Sequence, residues 1–88
     1  MSAKVTMYST RFCPYCMRAR SLLGQKDVAY EEIDIGSDAS LHQKMQALSG
    51  RDSVPQIFIN DEAVGGYDDI ALLERQGKLD ALLATPAA

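Results

Sequence analysis

Lys4-Val5-Thr6-Met7-Tyr8-Ser9-Thr10-Arg11-Phe12-Cys13-Pro14-Tyr15-Cys16 is the stretch from which the fold of this chain can be read. Its first five residues are rich in strand formers and run into a turn-like Ser9-Thr10, which predicts a first strand. Two cysteines follow at once, with two residues between them. From Pro14 to Leu23 the positions Cys16, Ala19, Leu22 and Leu23 recur at helical spacing, Pro14 suits a first helical position, and Gly24 suits a stop. Val28 to Ile35 then returns to alternation, with Ala29, Ile33 and Ile35 on one face. Strand, helix, strand is the order, and a right-handed parallel crossover is the expected geometry.

Downstream, Leu41, Met45 and Leu48 share a helical face, preceded by the capping candidates Ser37 and Asp38 and closed by Gly50. Gln56-Ile57-Phe58-Ile59 and Ala63-Val64-Gly65 flank Asn60-Asp61-Glu62, which signals a hairpin of two antiparallel strands. Asp68 or Asp69 is expected to cap a helix through Ile70, Leu72 and Leu73 to Gly77. Leu79, Leu82 and Leu83 mark a short last helix, and the tail Thr85-Pro86-Ala87-Ala88 is expected to fray. No internal repeat, linker or low-complexity block interrupts this order. The class is α/β: a single domain over residues 1–88, with a four-stranded mixed sheet flanked by helices on both faces.

Composition narrows the function. A chain of 88 residues, 47% hydrophobic and 24% charged, has the balance of a soluble globular domain and length for one core. The formal net charge of −3 argues against general binding to nucleic acid or to an anionic membrane, both of which need clustered Lys and Arg. The first ten residues lack the basic start and apolar run of a secretory signal, and no later segment is apolar for about 18 residues. The cytoplasm is the expected compartment. Thiols there are kept reduced, so a close cysteine pair is more readily catalytic or metal-binding than a static staple.

Thiolate, not thiol, is the nucleophile, so a reactive cysteine needs surroundings that favour the anion. A helix beginning at Pro14 places Cys13 at its N-cap, where unpaired N–H groups and the positive end of the helix dipole do so. Arg11 and Arg18 are close in sequence. Cys16 lies one turn further in, on the same face and less exposed, which assigns attack to Cys13 and resolution to Cys16. The same spacing also makes half a zinc site. The chain holds no third cysteine, and its single histidine, His42, stands on the second expected helix, where it is read as solvent-facing. A structural bridge closing so small a loop would constrain the unfolded chain little.

Cys13-Pro14-Tyr15-Cys16, then Ser53-Val54-Pro55, then Gly65-Gly66-Tyr67-Asp68-Asp69, in that order between a first strand and a late helix, resembles the dithiol class of the glutaredoxin family. The likeness covers nearly the whole chain, from about Val5 to Leu83. It implies the thioredoxin-like fold, glutathione as cosubstrate and electron donor, and no metal. By the same resemblance Cys13 is the nucleophile, Cys16 the second thiol, and Tyr15 a neighbour of bound glutathione. The bond before Pro55 is implied to be cis, and Val54 to offer backbone groups to the cysteinyl part of glutathione, a miniature strand addition. Gly66, Tyr67, Asp68 and Asp69 also make physical sense in this role: a helix N-terminus can bind the γ-glutamyl carboxylate, and an Asp its ammonium. On the residues alone, Asp68 and Asp69 are equally well ordinary caps, and Gly65 and Gly66 a turn.

Two positions depart from the family pattern. Many members carry a lysine three residues before the first cysteine, where it helps hold the glycyl carboxylate; here that residue is Thr10. Arg11 is expected to substitute, with Gln56. Ser53 stands where threonine is commoner and keeps the hydroxyl. The implied partners are glutathione and glutathionylated or disulfide-containing proteins, ribonucleotide reductase among the candidates, and the chain is expected to be a monomer. Two rival readings keep the cysteines. A redoxin fed by thioredoxin reductase shares the fold, but the Gly-Gly-Tyr-Asp-Asp stretch favours glutathione. A glutathione-ligated [2Fe–2S] carrier usually has a single cysteine in Cys-Gly-Phe-Ser, and the proline of the present motif is generally unfavourable to a cluster.

Overall fold

The structure is a computed structural model and describes residues 3–87. The elements run β1 (Val5–Ser9), α1 (Pro14–Gln25), β2 (Glu31–Asp34), α2 (Ala39–Ser49), β3 (Gln56–Ile59), β4 (Glu62–Gly65), α3 (Tyr67–Arg75) and α4 (Leu79–Ala84). The four strands form one sheet in the order β2-β1-β3-β4. β1 pairs parallel with β2 and antiparallel with β3, and β3 pairs antiparallel with β4. The sheet is mixed, as the sequence implies.

Alternation along the two central strands sorts the core into two layers. Val5 and Met7 of β1 and Ile57 and Ile59 of β3 pack with Ala19 and Leu23 of α1, Ile70 of α3, and Leu79 and Leu83 of α4. Tyr8 and Phe58 point the other way and join Ile35, which follows β2, and Met45 of α2, the Tyr8 and Phe58 rings meeting edge to face with centroids 5.6 Å apart. Helices therefore cover both faces. β3 is buried along its whole length, which is why Gln56–Ile59 reads as a continuous run rather than an alternation.

Turn chemistry sets the boundaries, and some of them differ from expectation. α1 runs through Gly24, and the chain turns instead at Asp27, whose φ of 52° supplies the left-handed residue. β2 is correspondingly only four residues long. Val28 packs on the α1 side while Ile33 and Ile35 pack on the α2 side, and Ala29 is exposed, so the expected common face does not exist. Asp38 rather than Ser37 caps α2, accepting from the N–H groups of Ser40 at 3.0 Å and Leu41 at 3.1 Å. Asn60 and Asp61, with φ of 53° and 65°, form the tight turn between β3 and β4.

Asn60 does more than turn. Its Oδ1 accepts from the Lys4 N–H at 2.8 Å, and its Nδ2 donates to the Thr85 carbonyl at 2.9 Å. The start of the tail expected to fray is thus tied to the hairpin; Ala88 lies outside the described residues. Among the described residues, no helix is long and apolar enough to cross a membrane.

Candidate active site

β1 ends at Ser9, and after four residues α1 begins, so the Cys-x-x-Cys pair sits at the carboxyl end of a central strand and the amino end of a helix. Cys13 is the N-cap. Its extended backbone turns the sulfur over the first turn, where Sγ accepts from the Cys16 N–H at 3.1 Å. The same sulfur lies 3.7 Å from the Val54 carbonyl oxygen, to which the thiol donates. Both cysteines are free; Cys13 is partly exposed and Cys16 fully buried. Burial, and then the hydrogen bond with Cys13, pushes the Cys16 thiol up to about 12. The exposures of the two sulfurs thus differ in the direction expected, Cys13 outward and Cys16 inward.

The loop beside Cys13 is built from residues far away in sequence. Val54–Pro55 is a cis peptide bond, as the family resemblance implies. Gln56 is only 1% exposed, and its Nε2 donates to the Ser53 carbonyl at 3.0 Å and to the Ser53 hydroxyl at 3.3 Å, bracing the loop from below. That amide is already engaged, so Gln56 supports the loop rather than standing free with Arg11. His42, expected merely to face solvent, is exposed, but its Nε2 lies 2.8 Å from the Asp52 carbonyl. A carbonyl can only accept, so this nitrogen carries the proton and His42 fastens the loop to α2.

α3 supplies the third wall. Its N-cap is Gly66, not Asp68 or Asp69 as expected, because a glycine cap leaves the first turn to be closed by a side chain three residues on. Asp69 does this, accepting the Gly66 N–H at 2.9 Å, and the same oxygen pairs with Arg51 Nη1 at 2.9 Å. A side chain at Gly66 would put its Cβ 3.2 Å from the Pro55 carbonyl oxygen, so glycine lets the start of α3 close on the cis-proline loop. The Gly66 N–H, followed by Arg51, holds the Asp69 carboxyl below the usual carboxylate range.

A depressed carboxyl contributes stability that is present above its ordinary range and lost as pH falls through the lowered value. Denaturant midpoints at neutral and acid pH should therefore show Asp69→Asn less stable than the native chain near pH 7, with the gap closing on acidification. A gap that persists unchanged into acid would mean that the charge is not what matters.

Between these walls lies an open cleft of about 230 Å³, lined by Tyr15, Arg51, residues 53–56 and residues 66–69. The Tyr15 and Tyr67 rings frame it, with centroids 6.5 Å apart, and the Arg18 guanidinium stands 5.1 Å above the Tyr15 ring. Of the residues expected at the site, the structure brings Tyr15, Val54, Pro55, Gly66, Tyr67, Asp68 and Asp69 to this cleft. Arg11 is exposed and does not line it. Arg51 does, and sequence reasoning missed it; the only signal was a cation two residues before Ser53. A larger groove of about 340 Å³ lies over the sheet beside α2 near Lys4, Lys44 and Phe58, but it contains neither cysteine. No group of three or more His, Cys, Asp or Glu converges among the described residues.

A vicinal-motif dithiol at a helix N-terminus, facing a cis-proline loop across a sheet of this order, defines a thiol–disulfide oxidoreductase of the thioredoxin-like fold. Residues 5–64 match the glutaredoxin family model. The chain is 44% identical over 81 residues to glutaredoxin 3 of Escherichia coli K12, covering 92% of this chain and 98% of that one. Among solved structures, a glutaredoxin from Brucella melitensis superposes with a TM-score of 0.82 at 46% identity, covering 93% of this chain and 89% of the other. A buckwheat glutaredoxin in complex with glutathione gives a TM-score of 0.85 at 26% identity, covering 92% and 76%. The chain belongs to the glutaredoxin family.

Proposed function

We propose that this chain is a glutathione-dependent oxidoreductase that reduces protein–glutathione mixed disulfides and protein disulfides, with Cys13 as nucleophile and Cys16 as resolving thiol. The observation that carries the reading is the continuity of the cleft. It leads from the Val54 and Pro55 loop, against which Cys13 sits, to a helix N-terminus flanked by one cation and two carboxylates. A tripeptide with a thiol in its middle and a zwitterion at one end fits that sequence of groups. The glutathione complex of the buckwheat relative supports it.

In the proposed reaction the Cys13 thiolate attacks the glutathione sulfur of a mixed disulfide. A Cys13–glutathione bond forms, and the substrate thiolate leaves and takes up a proton. A second glutathione thiolate attacks the bound glutathione sulfur, releasing glutathione disulfide and restoring Cys13. A disulfide within a protein can instead be reduced through both cysteines, Cys16 closing an internal bond. The Val54 backbone aligns the cysteinyl part of glutathione, Tyr15 and Tyr67 flank it, and the first-turn N–H groups of α3 receive the γ-glutamyl carboxylate. Asp68, exposed at the cleft, faces the ammonium. Phe12 and Met17, 87% and 61% exposed beside the cysteines, offer apolar contact to protein substrates. The reducing cytoplasm is the setting this chemistry fits.

Arg51, rather than Arg11, is assigned to a ligand carboxylate. Loss of a hydrogen-bonded charge of this kind costs about 1.4 kcal/mol, or about tenfold in affinity. Steady-state kinetics should show Arg51→Ala raising the Michaelis constant for glutathione by up to about tenfold with kcat largely kept, and Arg11→Ala leaving it unchanged. The reverse pattern would restore Arg11 to the site and remove Arg51.

A further inference from the structure

Among the described residues five large apolar side chains are exposed, and three of them, Phe12, Tyr15 and Met17, stand within four positions of Cys13. Tyr15 lines the cleft; Phe12 and Met17 do not. Phe12 directly precedes the nucleophile, and Met17 follows one helical turn beyond it, its N–H donating to the Cys13 carbonyl at 3.0 Å. Exposed apolar groups scattered singly need no explanation, but a cluster beside a reacting atom marks a contact surface.

The charge accompanying this cluster has one sign. The first carboxylate along the chain is Asp27, whereas Arg11 and Arg18 bracket the apolar residues in sequence. Both arginines are exposed. Lys4, Arg20, Lys26 and Arg51 each pair with a carboxylate, but neither Arg11 nor Arg18 has an ion-pair partner among the described residues. Arg18 stands over the Tyr15 ring instead. A chain of net charge −3 therefore keeps two unopposed guanidinium groups beside its nucleophile.

We propose that Arg11, Phe12, Met17 and Arg18 form a docking surface for the protein half of the substrate disulfide, and that they select a cysteine flanked by acidic and aliphatic residues. The inference rests on the reading of Cys13 as nucleophile and of the cleft as the glutathione site. In a mixed disulfide the glutathione half fills the cleft, so the polypeptide half is what meets the exposed neighbours of Cys13. The occupant of this surface is thus the chain whose sulfur is being freed. Its acidic residues oppose the two guanidinium groups, and an aliphatic side chain beside its cysteine covers Phe12 and Met17, removing apolar surface from water. Arg11, which does not line the cleft, acts on the protein substrate and not on glutathione.

The test measures kcat/KM on three glutathionylated peptides of one length, with glutathione and glutathione reductase as the recycling system. Each keeps a leucine beside the cysteine, and the flanking pair is glutamate, glutamine or lysine. Exposed ion pairs contribute about two- to threefold each, so two of them set an expected preference of about fivefold for the glutamate over the glutamine peptide at low salt. The lysine peptide should be the slowest. Since the screening length falls from about 30 Å at 0.01 M salt to about 3 Å at 1 M, the preference should vanish at the higher concentration. Arg11→Gln/Arg18→Gln should accept all three peptides alike, and Arg11→Glu/Arg18→Glu should prefer lysine; a ratio of rates within one variant is indifferent to any loss of folded protein. Phe12→Ser should slow all three by about fivefold, the scale of a contact residue, and leave their ratio alone. Equal native rates on the three peptides, a preference that survives Arg11→Gln/Arg18→Gln, or an unchanged rate in Phe12→Ser would overturn the proposal alone. A raised Michaelis constant for glutathione in Arg11→Gln would give that arginine to glutathione and overturn it too. Native protein that turns over none of the peptides with glutathione would overturn the glutathione-dependent reading and this inference with it.

Discussion

Cys13→Ser is expected to lose turnover on a glutathionylated peptide by more than about 1,000-fold, the scale on which removal of a catalytic nucleophile is felt, while Cys16→Ser keeps most of it. The difference follows from where the two sulfurs lie. Cys13 is the N-cap of α1, partly exposed, with its sulfur beside the Cys16 N–H and the Val54 carbonyl, where a glutathione sulfur can approach. Cys16 is fully buried, and no external disulfide reaches it. Removing glutathione from a peptide uses one thiol, so a second glutathione completes the cycle whether or not Cys16 is present. Reduction of an intramolecular protein disulfide is where Cys16→Ser should show its loss. Steady-state rates on the two substrate types, measured for both variants, check the assignment. Retained turnover in Cys13→Ser would end it.

Gly65→Ala is the substitution expected to cost the most stability of those at the cleft. Gly65 has φ of 113°, a conformation that L side chains rarely adopt, and holding an alanine there costs on the order of 1–3 kcal/mol. The added Cβ would also lie 2.6 Å from Asp69 Cγ and 2.9 Å from Asp69 Cβ, so Asp69 must move, at an overpacking cost of a similar size. A total of about 3 kcal/mol corresponds to a fall in Tm on the order of 15 °C for a chain of this length. Because Asp69 closes the first turn of α3 and holds Arg51, its displacement should also raise the Michaelis constant for glutathione. Gly24→Ala is the matched control. It lies within α1, its Cβ would meet nothing within 4 Å, and the exchange should stabilise by about 0.5 kcal/mol. Thermal unfolding of the pair separates a glycine required by conformation and space from one that is not.

Local rules read some elements from sequence and not others, for physical reasons. Pro14 after a strand marks the start of α1 because a proline is best placed where the helix has no N–H partner to lose. Asn60-Asp61 marks the hairpin because both residues tolerate positive φ. Val28 to Ile35 was harder. Its apolar residues serve two different layers, so their spacing mimics one longer strand when only Glu31–Asp34 pairs with β1. At α3, two acidic residues stood where a cap was expected, while the cap itself is Gly66, whose lack of a side chain leaves no trace in sequence beyond the glycine.

The candidate site divides the same way. Its three segments were visible because each carries a motif, and the glutaredoxin likeness ordered them. The ties between segments were not visible. Arg51 meets Asp69 across 18 positions and His42 meets Asp52 across 10, and neither pair follows from helical or strand periodicity. Arg11 looked suitable by sequence distance to Cys13, but proximity along the chain did not bring it to the cleft.

The central claim is that glutathione is the reductant, and NADPH consumption on a glutathionylated peptide tests it most directly, with glutathione plus glutathione reductase in one arm and thioredoxin reductase alone in the other. Fast turnover in the glutathione arm only is the predicted result. Turnover only with thioredoxin reductase would contradict it, leaving the fold and the cysteine pair intact but removing glutathione from the cleft.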